Sequence, residues 1–223
     1  KNGFRKIQEC CRLSKCDGYK YAWIDTVCID KTSSAELTEA INSMYDWYAK
    51  SATCYTYLED LESENLSDLT RCRWFTRGWT LQELIAPKKV IFFNKNWDMV
   101  GDKNRLSHNI GGITGIRCPT LLGNPIQLFS IADRMSWASR RETTRPEDLA
   151  YCLLGIFGIN MPLLYGEGGQ RAFIRLQQEI LRHSNDQSIF AWSIPQGHNL
   201  GQSLFNSLAS SPSFFRFSSG IVP

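Results

Sequence analysis

Apolar and polar residues are arranged in three different ways along this chain. At helical spacing, Leu37, Ile41, Met44 and Tyr48 form a stripe, with Ala40 and Trp47 beside it. Ser33-Ser34-Ala35-Glu36 precedes that stripe in the S-x-x-E form of a capping box, so the pattern predicts a helix over about 34–50. Phe4, Ile7 and Cys11 recur in the same way and predict a helix over 4–13, ended by Asp17-Gly18. The second arrangement is the short continuous apolar run. Residues 21–25, extended through 27–29, then 53–58 and 89–94, read as strands of a buried sheet. A short helix from about Gly78, stopped before Pro87, separates the last two, and 59–70 reads as a surface loop.

Helix, strand, helix, strand, helix, strand is the order this gives. It implies right-handed crossovers and a mostly parallel α/β sheet covered on both faces. After Asn94 the third arrangement takes over. Gly111, Gly112, Gly115, Pro119, Gly123 and Pro125 punctuate a loop-rich connection, and helical spacing then returns over 130–140, 145–157 and 168–183. Thr144 and Glu147 form a T-x-x-E box, with Pro146 in the first turn. Residues 188–193 are expected as a late strand, and the Ser- and Phe-rich tail from Ser203 as loop or linker. The expected organisation is an α/β core over 1–125, a helical extension over 126–200 and a linker over 201–223.

Composition narrows the function classes. At 223 residues and 43% hydrophobic content, the chain is an ordinary globular protein of one large domain or one domain with an appendage. A net charge of +3 with no basic run interleaved with aromatics argues against nucleic acid. No apolar run reaches the ~20 residues of a membrane span. The chain opens on Lys1 inside an expected helix and carries no signal peptide, so it is expected to be part of a longer protein. Eight cysteines without CxxC spacing suggest reduced core thiols in a cytosolic protein, and the three isolated histidines give no metal site. Gly166, Gly168 and Gly169 lack the following Lys-Ser/Thr of a phosphate loop.

Candidate chemistry concentrates in Arg71–Ala86, which holds two tryptophans, a phenylalanine, three arginines and one glutamate. On a helix, Leu81, Leu84 and Ile85 share one face, and Trp79, Gln82, Glu83 and Ala86 the opposite one. A carboxylate one turn beyond a large ring suits a site. It equally suits a structural ion pair of Glu83 with Arg77 or Arg73. Asp25 and Asp30 fall at or past the carboxyl end of an expected strand, where open α/β sheets place ligands. Asp25 could instead be a buried acid that shapes the turn.

Residues 21–60, 73–87 and 135–180 together resemble the fungal heterokaryon-incompatibility (HET) domain, and the last block is similar to the subgroup placed ahead of NACHT and WD40 modules. The matched blocks cover about half the chain. The resemblance implies a cytoplasmic domain that triggers cell death when unlike fungal cells fuse, with NACHT and WD40 neighbours and self-association. Trp79-Thr80-Leu81-Gln82-Glu83-Leu84 also resembles the Trp-Cys-Leu-x-Glu-Leu helix of TIR domains, which have a flavodoxin-like fold. That second likeness implies cleavage of NAD+, as substrate and not cofactor. Glu83 would be the catalytic carboxylate; Trp79, Arg77, Gln82, Asp25 and Asp30 would line the substrate site. A non-enzymatic module that clusters and recruits a death effector is the other reading.

Overall fold

The computed structural model describes residues 2–62, 65–194 and 207–222. Helix α1 (Asn2–Cys16) and the one-turn helix α2 (Asp25–Cys28) precede α3 (Ser34–Lys50). The strands are β1 (Cys54–Tyr57), β2 (Val90–Phe93) and β3 (Met99–Asp102), in sheet order β1-β2-β3. A six-residue helix, α4 (Thr80–Ile85), lies between β1 and β2. Cys54 pairs with Val90 through to Tyr57 with Phe93 in a parallel ladder, and β2 is buried along its whole length, in keeping with its uninterrupted Val-Ile-Phe-Phe.

This is a mixed α/β domain, and two features of the expected sheet are corrected. The sheet is not mostly parallel, because β3 runs antiparallel to β2. The chain reverses immediately after β2: Asn94 Oδ1 accepts from the Asn96 and Asp98 amides at 2.9 Å each, and Trp97 sits at φ +71°. Residues 21–25 are not a strand either. The Val27 and Cys28 amides both donate to the Ile24 carbonyl, at 3.0 and 2.8 Å, and wind the segment into α2. A short apolar run does not by itself distinguish a strand from a single helical turn. Tyr21 and Val27 stay exposed, and the outer edge of β1 has no strand neighbour among the described residues.

Helix α3 occupies the predicted span. Ser33 Oγ accepts from the Glu36 amide at 3.3 Å, but the Glu36 carboxylate reaches past the cap to the Asp30 amide at 2.7 Å. Ala40, Ile41 and Met44 form its buried face. The expected loop-rich stretch contains α5 (Ser107–Thr114), closed by left-handed Gly115, and α6 (Cys118–Leu121). Downstream lie α7 (Ile131–Ser136), α8 (Asp148–Tyr151), α9 (Leu154–Phe157) and α10 (Gly169–His183). The expected 145–157 helix is thus two short ones. The expected strand at 188–193 is a 3-10 turn, Gln187–Phe190, set by Asp186 Oδ1 accepting from the Ser188 amide at 2.9 Å. Part of the expected tail, 203–206, lies outside the described residues.

Among the described residues the larger apolar core runs from Ile29 to Phe215 and is shared by the sheet and the downstream helices. Helix α9 approaches α3 so closely that a Cβ on Gly155 would overlap the Tyr45 ring. Ile91, Phe93 and Trp97 form a smaller cluster with Leu13, Tyr55 and Tyr57. All eight cysteines are free, but only Cys54, Cys72 and Cys152 are buried; Cys11, Cys16 and Cys28 are exposed, so the expected core placement is corrected for those three. The 21–25 strand that would have covered that flank of the sheet is not formed. Among the described residues no helix is long and apolar enough to cross a membrane.

Candidate functional site

A cavity of about 940 Å³ lies between α1, residues 19–26, the end of α3 and the unpaired edge of β1. Helix α4 delivers Glu83 to it because Leu81, Leu84 and Ile85 anchor the opposite face in the core, as their spacing predicts. The Thr80 hydroxyl donates to the Trp74 and Arg77 carbonyls at 2.5 and 2.8 Å, which ties the start of α4 to the preceding turn.

Glu83 is partly accessible from the cavity and otherwise enclosed by protein. Its carboxyl is pushed up to about 7, first by burial and then by the Asp25 carboxylate. Arg77 and hydrogen bonds from Trp74 and Tyr48 pull in the other direction and leave it titrating near neutrality. Tyr48 is driven well above its ordinary value by burial and by the charge of Glu83, so its hydroxyl remains a donor. Cys54 also lines the cavity, but burial raises its thiol far out of the nucleophilic range. The arrangement offers one proton-exchanging carboxyl, a second carboxylate, an arginine and aromatic walls.

Of the residues singled out in the sequence, Glu83, Arg77 and Asp25 meet at this cavity. Asp25 opens α2 and also lies 3.8 Å from Lys31. Trp79, Gln82 and Asp30 are not brought to it. Trp79 turns away and donates its indole N–H to Asp148 Oδ2 at 3.1 Å. Gln82 is buried with Nε2 3.2 Å from Met44 Sδ. Asp30 accepts from the Thr32 amide and hydroxyl at 2.9 and 2.7 Å, bonds that lower its pKa and shape the approach to α3. Six-residue α4 packs on both α3 and the later helices, so only part of its polar face opens to the cavity.

Sequence reasoning missed Trp74, Thr80 and Tyr48. Tyr48 ends the apolar stripe of α3, where the helix runs past β1, and its stripe position concealed it. Among the described residues no group of three or more His, Cys, Asp or Glu side chains is placed to hold a metal ion.

Fold and cavity together define a mixed α/β domain with an enclosed, near-neutral carboxyl at the edge of its sheet. A family model described as heterokaryon incompatibility protein (HET) matches residues 4–70, and a domain of unknown function (DUF8212) matches residues 171–220. Vegetative incompatibility protein HET-E-1 of Podospora anserina is 47% identical over 189 residues. That alignment covers 81% of this chain and 14% of the relative. The chain belongs to the heterokaryon-incompatibility (HET) family. No solved structure matches it.

Proposed function

We propose that this domain acts in vegetative incompatibility, the process named in its relative, and that it kills by hydrolysing NAD+. Glu83 is the catalytic carboxylate. The bond between ribose C1′ and the nicotinamide nitrogen breaks with its electron pair leaving on nicotinamide. Ionised Glu83 stabilises the positive ribose that results. Water adds at C1′, and its proton passes to Glu83 and on to solvent, so that NAD+ and water give nicotinamide, ADP-ribose and a proton. Arg77 faces the phosphates. The observation that carries this reading is the enclosure of Glu83 beside Asp25 and Arg77 at one cavity, with its carboxyl near 7. In the full-length protein, NACHT and WD40 neighbours would control self-association and hence killing.

A second reading is favoured by the edge of β1 that has no strand neighbour among the described residues, which would receive an extended partner segment. The test is nicotinamide release by the full-length protein and its Glu83→Gln variant, with killing scored in parallel. Release by the parent and none from a folded variant is expected. Killing by both proteins without NAD+ loss would leave the interaction reading.

A further inference from the structure

Arg141 is one of the least exposed charged residues, at 6%. Its Nη1 donates to the Arg77 carbonyl at 2.8 Å and to the Thr80 hydroxyl at 3.0 Å, and its Nε donates to the Trp137 carbonyl at 3.2 Å. Nη2 is buried without a hydrogen-bond partner. No carboxylate is among these acceptors. Desolvation is the main cause that lowers its pKa, to about 10. Two further groups act on the charge. Cys152 is a neutral thiol, pushed up to about 12 by burial, and Glu83 is the carboxylate.

A buried cation held only by neutral acceptors is a poor source of stability, since an apolar side chain of similar volume escapes the desolvation. What the guanidinium supplies is geometry: Nη1 alone joins the two acceptors that frame the turn between Arg77 and Thr80, while Nε fixes the guanidinium plane on the Trp137 carbonyl. The same turn is pinned from the other side. Gly78 donates its amide to the Glu142 carbonyl at 2.8 Å, and the Glu142 amide donates to the Thr76 carbonyl at 2.7 Å. A Cβ on Gly78 would overlap the Thr143 side chain.

We propose that Arg141 is a positioning residue for the Glu83 site, acting through the Arg77 carbonyl and the Thr80 hydroxyl to hold the turn that aims Arg77 and Glu83 at the cavity. A role in NAD+ hydrolysis rests on the reading of Glu83 given above; the positioning itself does not. Glu83 is governed first by burial and by Asp25; its charge and that of Arg141 also attract, but what Arg141 fixes is the turn, through its hydrogen bonds to the Arg77 carbonyl and the Thr80 hydroxyl.

The test is a double-mutant cycle in the full-length protein. Urea midpoints at pH 5 and pH 8 are compared for the parent, Glu83→Gln, Arg141→Met, Arg141→Lys and both Arg141 variants combined with Glu83→Gln. The pH-dependent part of the midpoint that Glu83→Gln removes reports whether Glu83 is still enclosed beside Asp25. This part is expected to fall by more than half in Arg141→Met, with partial recovery in Arg141→Lys. If the parent releases nicotinamide, kcat should fall at least tenfold in Arg141→Met while KM moves less. A parent that releases none sinks the proposed reaction alone, and the urea cycle still decides the positioning. An unchanged Glu83-dependent part in both variants, or failure of both to fold, overturns the proposal.

Discussion

The Trp79 indole N–H donates to Asp148 Oδ2 at 3.1 Å, joining the residue that leads into the Glu83 helix to α8 across 69 positions of sequence. The Tyr165 hydroxyl donates to the other oxygen, Oδ1, at 3.0 Å. Burial raises the Asp148 pKa, and these two donors oppose the rise. The helical half of the chain thus takes hold of the cavity stretch at Trp79 as well as at Arg77 and Thr80. Trp79→Phe keeps most of the ring and deletes the donor. It should cost about 1–3 kcal/mol, because a buried carboxylate oxygen loses its partner. Adding Tyr165→Phe should give a total that departs from the sum of the single changes, as expected for residues sharing one acceptor. Urea titrations of the four proteins measure this, and strict additivity would remove the shared-acceptor account.

Glu83 makes stability depend on pH with a definite sign. Its folded pKa, about 7, lies above the ordinary glutamate value of 4.5, so the folded state holds the proton more tightly. Its contribution is fully present below about pH 4.5 and is lost as pH rises through 7. The loss reaches up to about 3 kcal/mol, the free-energy equivalent of that shift. Glu83→Gln should therefore be more stable than the parent at pH 8 and differ little at pH 4. Asp25→Asn removes the second cause of the rise and should move the parent's transition to lower pH. Parent and Glu83→Gln curves that run parallel from pH 4 to 8 would show that the carboxyl is not enclosed.

What the sequence carried and what it concealed divide along the reach of the interactions. Helix α3 was readable because its cap and stripe are local: Ser33 and Glu36 mark its start, and Ile41 and Met44 its buried face. Leu81, Leu84 and Ile85 told which face of α4 is inside for the same reason. The 21–25 segment misled because its apolar run fits either one buried strand or a coil leading into a single turn. β3 was hidden by weak alternation, since Met99 is exposed and only Gly101 is buried. The site was half visible. Glu83, Arg77 and Asp25 stood out by charge, whereas Arg141 and Asp148 act through partners more than 60 residues away, at Arg77 and Trp79.

Asn42 lies on the flank of the α3 stripe, where periodicity alone suggests a tolerant position. Its side chain instead bonds the Met161 backbone in both directions. Oδ1 accepts from the Met161 amide at 3.2 Å, and Nδ2 donates to the Met161 carbonyl at 3.4 Å and to Thr38 O at 2.9 Å. Asn42→Ala should cost about 1–3 kcal/mol by leaving those part-buried groups unpaired. Ile41→Ala should cost about 2–5 kcal/mol through lost packing. Hydrogen exchange at the Met161 amide separates the two: it should quicken selectively in Asn42→Ala. Equal protection in both variants would mean that the Asn42 bond does not hold the 161 segment.

Lys103 closes the far end of the Glu83 helix. Its ammonium, 2% exposed as a residue, donates to the Leu84 carbonyl at 3.1 Å and to the Pro87 carbonyl at 2.5 Å. A cation at a helix C-terminus satisfies carbonyls that lack intrahelical partners. Burial is the first cause that lowers its pKa, to about 8. The sign follows from the depressed value: the unfolded chain binds the proton more tightly between about pH 8 and 10.5. Lys103 therefore adds stability as pH rises through that window and withdraws it as pH falls through 8, by up to about 3 kcal/mol. Lys103→Met removes the titration but leaves two carbonyls without a donor, so its stability relative to the parent should be level near pH 7 and decline from about pH 8 to pH 10. Differences between the two proteins cancel the titration of cysteines and tyrosines common to both. A parent-minus-variant difference that is flat across this range would show that the ammonium is hydrated and does not close the helix.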